Sequence, residues 1–345
     1  MKILLLELGR IGDTIITLPA TKALKKAFPD SEIIRICTPI VEPILRRCPY
    51  LDEIIIYHRE KKKPKWIWQG IKLLIKIRKI CPEIFINFHT PDVFRSSKIY
   101  FRDNLFSFLT GAKSRVAYFS DSTGIFLTHG IKAQKEHQRK YVLDLVNDLV
   151  QQIGCIPDKE LELWLDDQDR QEAEKFLKDH LIREDIPIAI VHPGATRPSR
   201  RWPIERFIKI TKWLSKDLTV IITGNETETF LAEQIQNVVT KVIVASGKLS
   251  LMGTAALLER AALLLTNDTG IMHFAFALKT PTVALFGPEL PERWVQMDKN
   301  WIKVIRHPMP CSPCYKWNCS DLRCLKAISV EEVKDAISLL LKEIL

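Results

Sequence analysis

The sequence predicts an α/β protein made of two doubly wound domains that face one cleft. Three observations predict it. Short continuous apolar runs, such as residues 3–6 and 261–265, alternate with longer segments of helical periodicity. That is the pattern of parallel βαβ units whose strands are covered on both faces. A polar turn, Gly9-Arg10-Ile11-Gly12-Asp13, closes the first strand, and a second, Asn267-Asp268-Thr269-Gly270, closes a strand far along the chain. Open α/β sheets gather their ligands at such strand ends.

The elements follow in order. Residues 3–6 form the first strand, and a helix follows with Pro19 expected in its first turn. Residues 32–37 and 54–57 read as strands, 66–80 as a helix, 84–88 as a strand and 140–153 as a helix. Residues 155–187 read as the connection, with a helix over 168–179. A second series then runs strand 188–191, helix 204–214, strand 219–223, helix 228–238, strand 242–245 and helix 252–260. A strand over 261–265, a polar turn and a helix over 271–278 come next, with Gly270 expected to bend the backbone sharply. Ser329 and Glu332 have the spacing of a capping box and open a last helix. The expected domains are 1–160, 161–328 with a cysteine-rich tail, and a closing helix over 329–345.

The 345 residues suffice for two domains, and 46% hydrophobic content supplies their cores. Lys and Arg number 51 against 41 Asp and Glu, a formal net charge of +10. Such a chain favours anionic partners: a phosphorylated substrate, an anionic membrane surface or nucleic acid. No nucleic-acid-binding motif is present, so none is expected as a partner. The apolar start is too short for a signal peptide and no run is long enough to span a membrane, so a cytoplasmic location is expected.

Asp13 follows the first strand, where a carboxylate can accept a proton from a hydroxyl or can cap the next helix. After the strand at 188–191 comes His192-Pro193-Gly194-Ala195-Thr196, then Arg200-Arg201-Trp202-Pro203. Arg200 and Arg201 can grip a diphosphate and Thr196 can add a hydrogen bond, or the loop is simply basic and solvated. The helix start at Thr269 and Gly270 offers free amides to a phosphate. Asp268 is expected to brace that turn, and His273 can donate to a diphosphate or be structural. Glu228 can accept from ribose hydroxyls or serve as a first-turn acid.

Cys311, Cys314, Cys319 and Cys324 form C-x2-C-x4-C-x4-C, which can hold structural Zn or Fe or stand as reduced thiols. Arg59, Lys61, Lys62, Lys63 and Lys65 make a basic loop, continued by Lys72, Lys76 and Lys79 on one helical face. It can meet an anionic lipid headgroup or be a solvated face.

Taken in order, Leu8 to Asp13 with Thr17-Leu18-Pro19-Ala20, the His192 and Arg200 segments, Asn267 to Gly270 with His273, and Pro281-Thr282-Val283-Ala284-Leu285-Phe286-Gly287-Pro288 resemble glycosyltransferase family 9. These are the ADP-heptose:lipopolysaccharide heptosyltransferases, and the resemblance covers essentially the whole chain. It implies the GT-B fold, two Rossmann-like domains around a central cleft. It implies an N-terminal half that receives a Kdo-lipid A-type acceptor and a C-terminal half that holds ADP-heptose. By the same resemblance Asp13 is the catalytic base, and Thr196, Arg200, Thr269, Gly270 and His273 bind the diphosphate. Glu228 takes the ribose, and the loop from Arg59 through Lys61, Lys62 and Lys63 meets the acceptor. The cysteine-rich tail is similar to that of heptosyltransferase II-like members. The expected activity is inverting, needs no cofactor for catalysis, and works peripherally on the inner membrane. Another nucleotide-sugar, a different acceptor, or a non-enzymatic basic α/β protein are the alternatives.

Overall fold

A computed structural model describes residues 1–58, 65–92, 96–183 and 185–342. The chain forms two compact units, Met1–Trp164 with Glu292–Trp294, and Leu165–Pro291 with Val295–Leu345.

The first unit contains β1 (Lys2–Leu6), α1 (Ile11–Ala27), β2 (Glu32–Cys37), α2 (Glu42–Leu45), β3 (Glu53–Ile56), α3 (Lys65–Ile80) and β4 (Ile84–Asn87). It continues with α4 (Ser97–Leu109), β5 (Ser114–Phe119), β6 (His129–Lys132) and α5 (Val142–Gln151). Its six strands lie in the order β3-β2-β1-β4-β5-β6, with every pairing parallel. The run Ile3, Leu4, Leu5 is fully buried, as a strand between covered faces requires. Leu4, Leu6, Ile34, Ile36 and Phe85 pack against Leu73 and Ile77 of α3. Each such burial contributes roughly 2 kcal/mol.

The second unit contains α6 (Asp167–Asp179), β7 (Ile188–His192), α7 (Ile204–Leu214), β8 (Thr219–Ile222), α8 (Thr229–Gln236) and β9 (Ile243–Val244). Then come α9 (Leu251–Glu259), β10 (Leu263–Asn267), α10 (Gly270–Leu278), β11 (Thr282–Phe286), β12 (Ile302–Arg306), α11 (Arg323–Lys326) and α12 (Val330–Lys342). The order β12-β11-β10-β7-β8-β9 repeats that of the first sheet, again all parallel. The strand order therefore reverses between β1 and β4 in one unit and between β7 and β10 in the other. These are the topological switch points at which doubly wound sheets bind ligands. Ser329 and Glu332 form the reciprocal capping box, at 3.1 and 2.7 Å, and Val333, Ile337 and Leu340 of α12 enter the second core.

Two local expectations are corrected. Pro19 lies inside α1, because the helix already begins at Ile11; the ring withholds an N–H from the Ile15 carbonyl. Gly270 adopts no left-handed conformation. The turn is made by Thr269, extended at φ −154, and Gly270 is the first residue of α10.

Candidate active site

In the first unit, the turn after β1 runs directly into α1, so Asp13 sits in the helix's first turn. Its Oδ2 accepts from the Arg10 N–H at 2.9 Å. Oδ2 is thus engaged by the main chain at the start of α1. Gly9 is required here: a Cβ would lie 2.6 Å from Asp13 Cβ and 2.7 Å from Asp13 Oδ2.

Glu7, the acid that interrupts the first apolar run, lies buried beside Asp13. Its carboxylate accepts from the Gly9 N–H, from Thr14 Oγ1 at 3.0 Å and from Arg35 Nη2 at 3.3 Å. Arg35 is fully buried on β2, and its Nη2 also donates to Thr17 Oγ1 at 2.5 Å. Burial and the Glu7 charge push Asp13 up to about 6, against the pull of the Arg10 N–H and of the His89 and Arg10 charges. A carboxylate so placed binds a proton more firmly than usual, which suits a general base. His89, just past β4, is held with its Nδ1 3.3 Å from Asp103 Oδ2 on α4. Glu7, Arg35 and His89 were missed in the sequence. Their signals were an acid ending an apolar strand and a single charge inside another.

In the second unit, Asn267 at the end of β10 ties the site together. Its Nδ2 donates to the Pro193 carbonyl at 2.8 Å, and its Oδ1 accepts from the Trp202 N–H at 3.0 Å. Trp202 is buried and donates from Nε1 to the Ile328 carbonyl at 3.2 Å, which anchors the arginine loop. Arg200 Nη1 lies 3.3 Å from Asp268 Oδ2, and Nη2 pairs with Glu289. Arg197 Nη1 joins Glu289 at 2.8 Å. Two half-buried guanidinium groups thus balance two buried carboxylates in one cluster. Arg197 and Glu289 were missed, although they adjoin the segments read for Thr196 and Pro288.

Asp268 is buried and pushed up to about 6, by burial first; Arg200 pulls the other way, while Glu289 adds to the rise. His273, inside α10, is held down at about 3 by burial and the Arg200 charge, so it is a neutral imidazole at neutral pH. Arg201 Nε donates to the Ala195 carbonyl at 2.9 Å, and its Nη2 is 3.9 Å from Glu228 Oε1. Glu228 is buried, and its Oε2 accepts from Asn225 Nδ2 at 2.7 Å. Thr196 is exposed beside this set, and Thr269 and Gly270 stand at the start of α10. The sequence-derived donor residues Thr196, Arg200, Arg201, Glu228, Asp268, Thr269, Gly270 and His273 therefore all belong to the turns after β7, β8 and β10 and the start of α10.

The cysteines behave otherwise. Among the described residues, no group of three or more His, Cys, Asp or Glu is placed to hold a metal ion. Cys311 is exposed, while Cys324 is buried on α11, its thiol pushed up by burial. The segment is held by the main chain instead. Cys314 N–H donates to the Pro288 carbonyl at 3.0 Å, and the Ser199 N–H donates to the Trp317 carbonyl at 3.3 Å. Arg59, Lys61, Lys62 and Lys63 lie outside the described residues.

Residues 98–324 match the model of glycosyltransferase family 9 (heptosyltransferase). The chain belongs to this family. It is a glycosyltransferase of the α/β, GT-B class. It is 25% identical over 340 residues to lipooligosaccharide heptosyltransferase 2 of Campylobacter jejuni, covering 96% of each chain. To lipopolysaccharide heptosyltransferase 2 of Salmonella typhimurium it is 24% identical, covering 85% of this chain and 84% of the other. Among solved structures, a family 9 glycosyltransferase from Veillonella parvula superposes with a TM-score of 0.80 at 24% identity, over 99% of this chain and 97% of that one. The ADP-heptose lipopolysaccharide heptosyltransferase II of Escherichia coli superposes with a TM-score of 0.74 at 21% identity, over 99% of both.

Proposed function

We propose that this glycosyltransferase moves heptose from ADP-heptose to the Kdo/heptose inner core of lipopolysaccharide, with inversion. One observation carries the reading. A chain similar over 96% of its length to a heptosyltransferase 2 has a proton-avid carboxylate at one switch point and an arginine-and-helix-start set at the other.

The first unit receives the acceptor and the second holds the nucleotide-sugar. Asp13 takes the proton of the acceptor hydroxyl as its oxygen attacks the anomeric carbon. The bond from that carbon to the diphosphate oxygen breaks, and ADP leaves with the electron pair. Arg200, Thr196 and the amides around Thr269 and Gly270 receive the charge that develops on the diphosphate. A neutral His273 contributes a hydrogen bond without a charge. Glu228 holds the ribose, and the loop from Arg59 meets the anionic acceptor. The cationic and amide groups supply the leaving-group stabilisation without a metal. The acceptor is lipid-linked, so the enzyme works peripherally at the inner face of the cytoplasmic membrane; among the described residues no helix is long and apolar enough to cross it.

The test is transfer from ADP-heptose to Kdo-lipid A, with and without a first heptose, read as released ADP and glycosylated lipid. Transfer to either acceptor is expected. No transfer to either, with turnover of another nucleotide-sugar, would contradict the reading.

A further inference from the structure

The outward face of α3 combines two features that the active site does not use. Ile67, Ile71 and Ile75, spaced four residues apart, and Trp68 are all exposed, at 43, 41, 52 and 62%. At 3.6 residues per turn they form one stripe. The opposite face carries Leu73 and Ile77, both in the core of the first unit. The helix is therefore apolar on two sides, and only one of them is covered.

Charge supplies the second feature. Lys65, Lys72, Lys76 and Lys79 run beside the stripe, all exposed, and α3 contains no Asp or Glu. Lys76 Nζ lies 3.8 Å from Glu53 Oε1 on β3, itself an exposed pair. Residues 59–115 contain fourteen Lys and Arg against four Asp and Glu, a net +10. That equals the formal charge of the whole chain, so the remaining residues sum to zero. The net positive charge thus falls in a stretch that also leaves Ile67, Trp68, Ile71, Ile75, Phe101 and Phe108 exposed. Arg78 Nε ties the last turn of α3 to the Leu109 carbonyl of α4 at 2.8 Å, next to Phe108, which is 49% exposed with the Arg115 guanidinium over its ring.

An apolar stripe with Trp at one end and lysines along its border matches the interfacial plane of an anionic bilayer. The aliphatic side chains enter the acyl boundary and the lysines meet the headgroups. We propose that α3 is the surface by which the enzyme docks on anionic lipid. The inference rests on the peripheral-membrane part of the proposed function and adds the site to it.

The test sediments the full-length protein with vesicles of phosphatidylglycerol and phosphatidylethanolamine in equal proportion, or of phosphatidylcholine alone, without donor or acceptor. Binding to the anionic vesicles only is expected. The triple change Lys72→Gln, Lys76→Gln, Lys79→Gln should weaken it roughly a hundredfold, since each lysine near an anionic surface contributes about fivefold. Ile71→Gln with Ile75→Gln should weaken it by roughly tenfold or more. All five side chains are exposed, so both variants should keep the wild-type circular dichroism. The control Lys212→Gln, Lys216→Gln, Lys248→Gln in the second unit should bind as wild type. The proposal is overturned if anionic vesicles are not preferred, if the α3 variants bind like wild type, or if the control loses as much. Intact vesicle binding without heptose transfer would overturn the proposed reaction and leave this surface standing.

Discussion

Asp13 lies in the first turn of the helix that follows β1, Asp268 directly follows β10, and each of these strands flanks its unit's switch point; both carboxyls are pushed up to about 6. Their surroundings differ. Asp13 faces another carboxylate, Glu7, and keeps only the Arg10 N–H as its hydrogen-bond donor among the contacts described above. Asp268 is paired with Arg200 within a cluster that Arg197 and Glu289 complete. A raised proton affinity alone therefore does not mark a base. On the proposed reading, the carboxylate beside Glu7 takes the acceptor proton, and the one paired with Arg200 braces its loop.

The largest effect that separates them is on turnover. Asp13→Asn should lower kcat/KM roughly a thousandfold, within the range general-base removal produces. Its ADP-heptose Kd, read by calorimetry, should stay near wild type. Asp268→Ala should act on the other side of the comparison. It removes one of Arg200's two carboxylate partners and leaves Glu289, so denaturant unfolding should show a loss of about 1 kcal/mol. Donor affinity should weaken with it, while the acidic limb of the pH profile stays in place.

The folding sequence signal explains why one half of this comparison was legible and the other was not. Continuous apolar strands such as Ile3 to Leu6 and Leu263 to Leu265, and the capping box at Ser329, announced themselves because burial and capping leave local patterns. The edge strands β6 and β12 did not. Their polar residues, His129 and Lys132 or Lys303 and Arg306, fall on both faces of their strands, stay partly or fully exposed, and interrupt the apolar pattern. Asp13 and Arg200 could be picked out from the turns that carry them. That Glu7 and Arg35 come together could not, because β2 must first be placed beside β1. The same holds for Arg200 with Glu289, which lie on turns 89 residues apart. The four cysteines show the converse: close spacing in sequence did not gather them into a ligand set among the described residues.

A further effect follows from linkage. Asp13 is raised from 3.8 to about 6, so the folded state binds its proton more tightly than the unfolded chain does. Its contribution is neutral below the unfolded value and turns unfavourable as pH rises through that window. Asp13→Asn should therefore be more stable than wild type above pH 6, by about 3 kcal/mol, with the difference vanishing near pH 3. Urea unfolding at the two pH values reads it. The smallest effect is expected from Glu7→Gln. Removing the like charge lowers the proton affinity of Asp13, so the acidic limb of kcat/KM should move to lower pH, with a change of a few-fold in rate at pH 5. An unmoved limb would show that Glu7 only supports the turn.

The most direct measurement is the single-turnover rate of heptose transfer by the wild-type enzyme as a function of pH, with donor saturating. The account predicts a rate that rises with one ionisation near pH 6 and levels above it, and that this ionisation disappears from the residual rate of Asp13→Asn. A rate that is level down to pH 4, or an inflection that persists in Asp13→Asn, would contradict the assignment of Asp13 as the base.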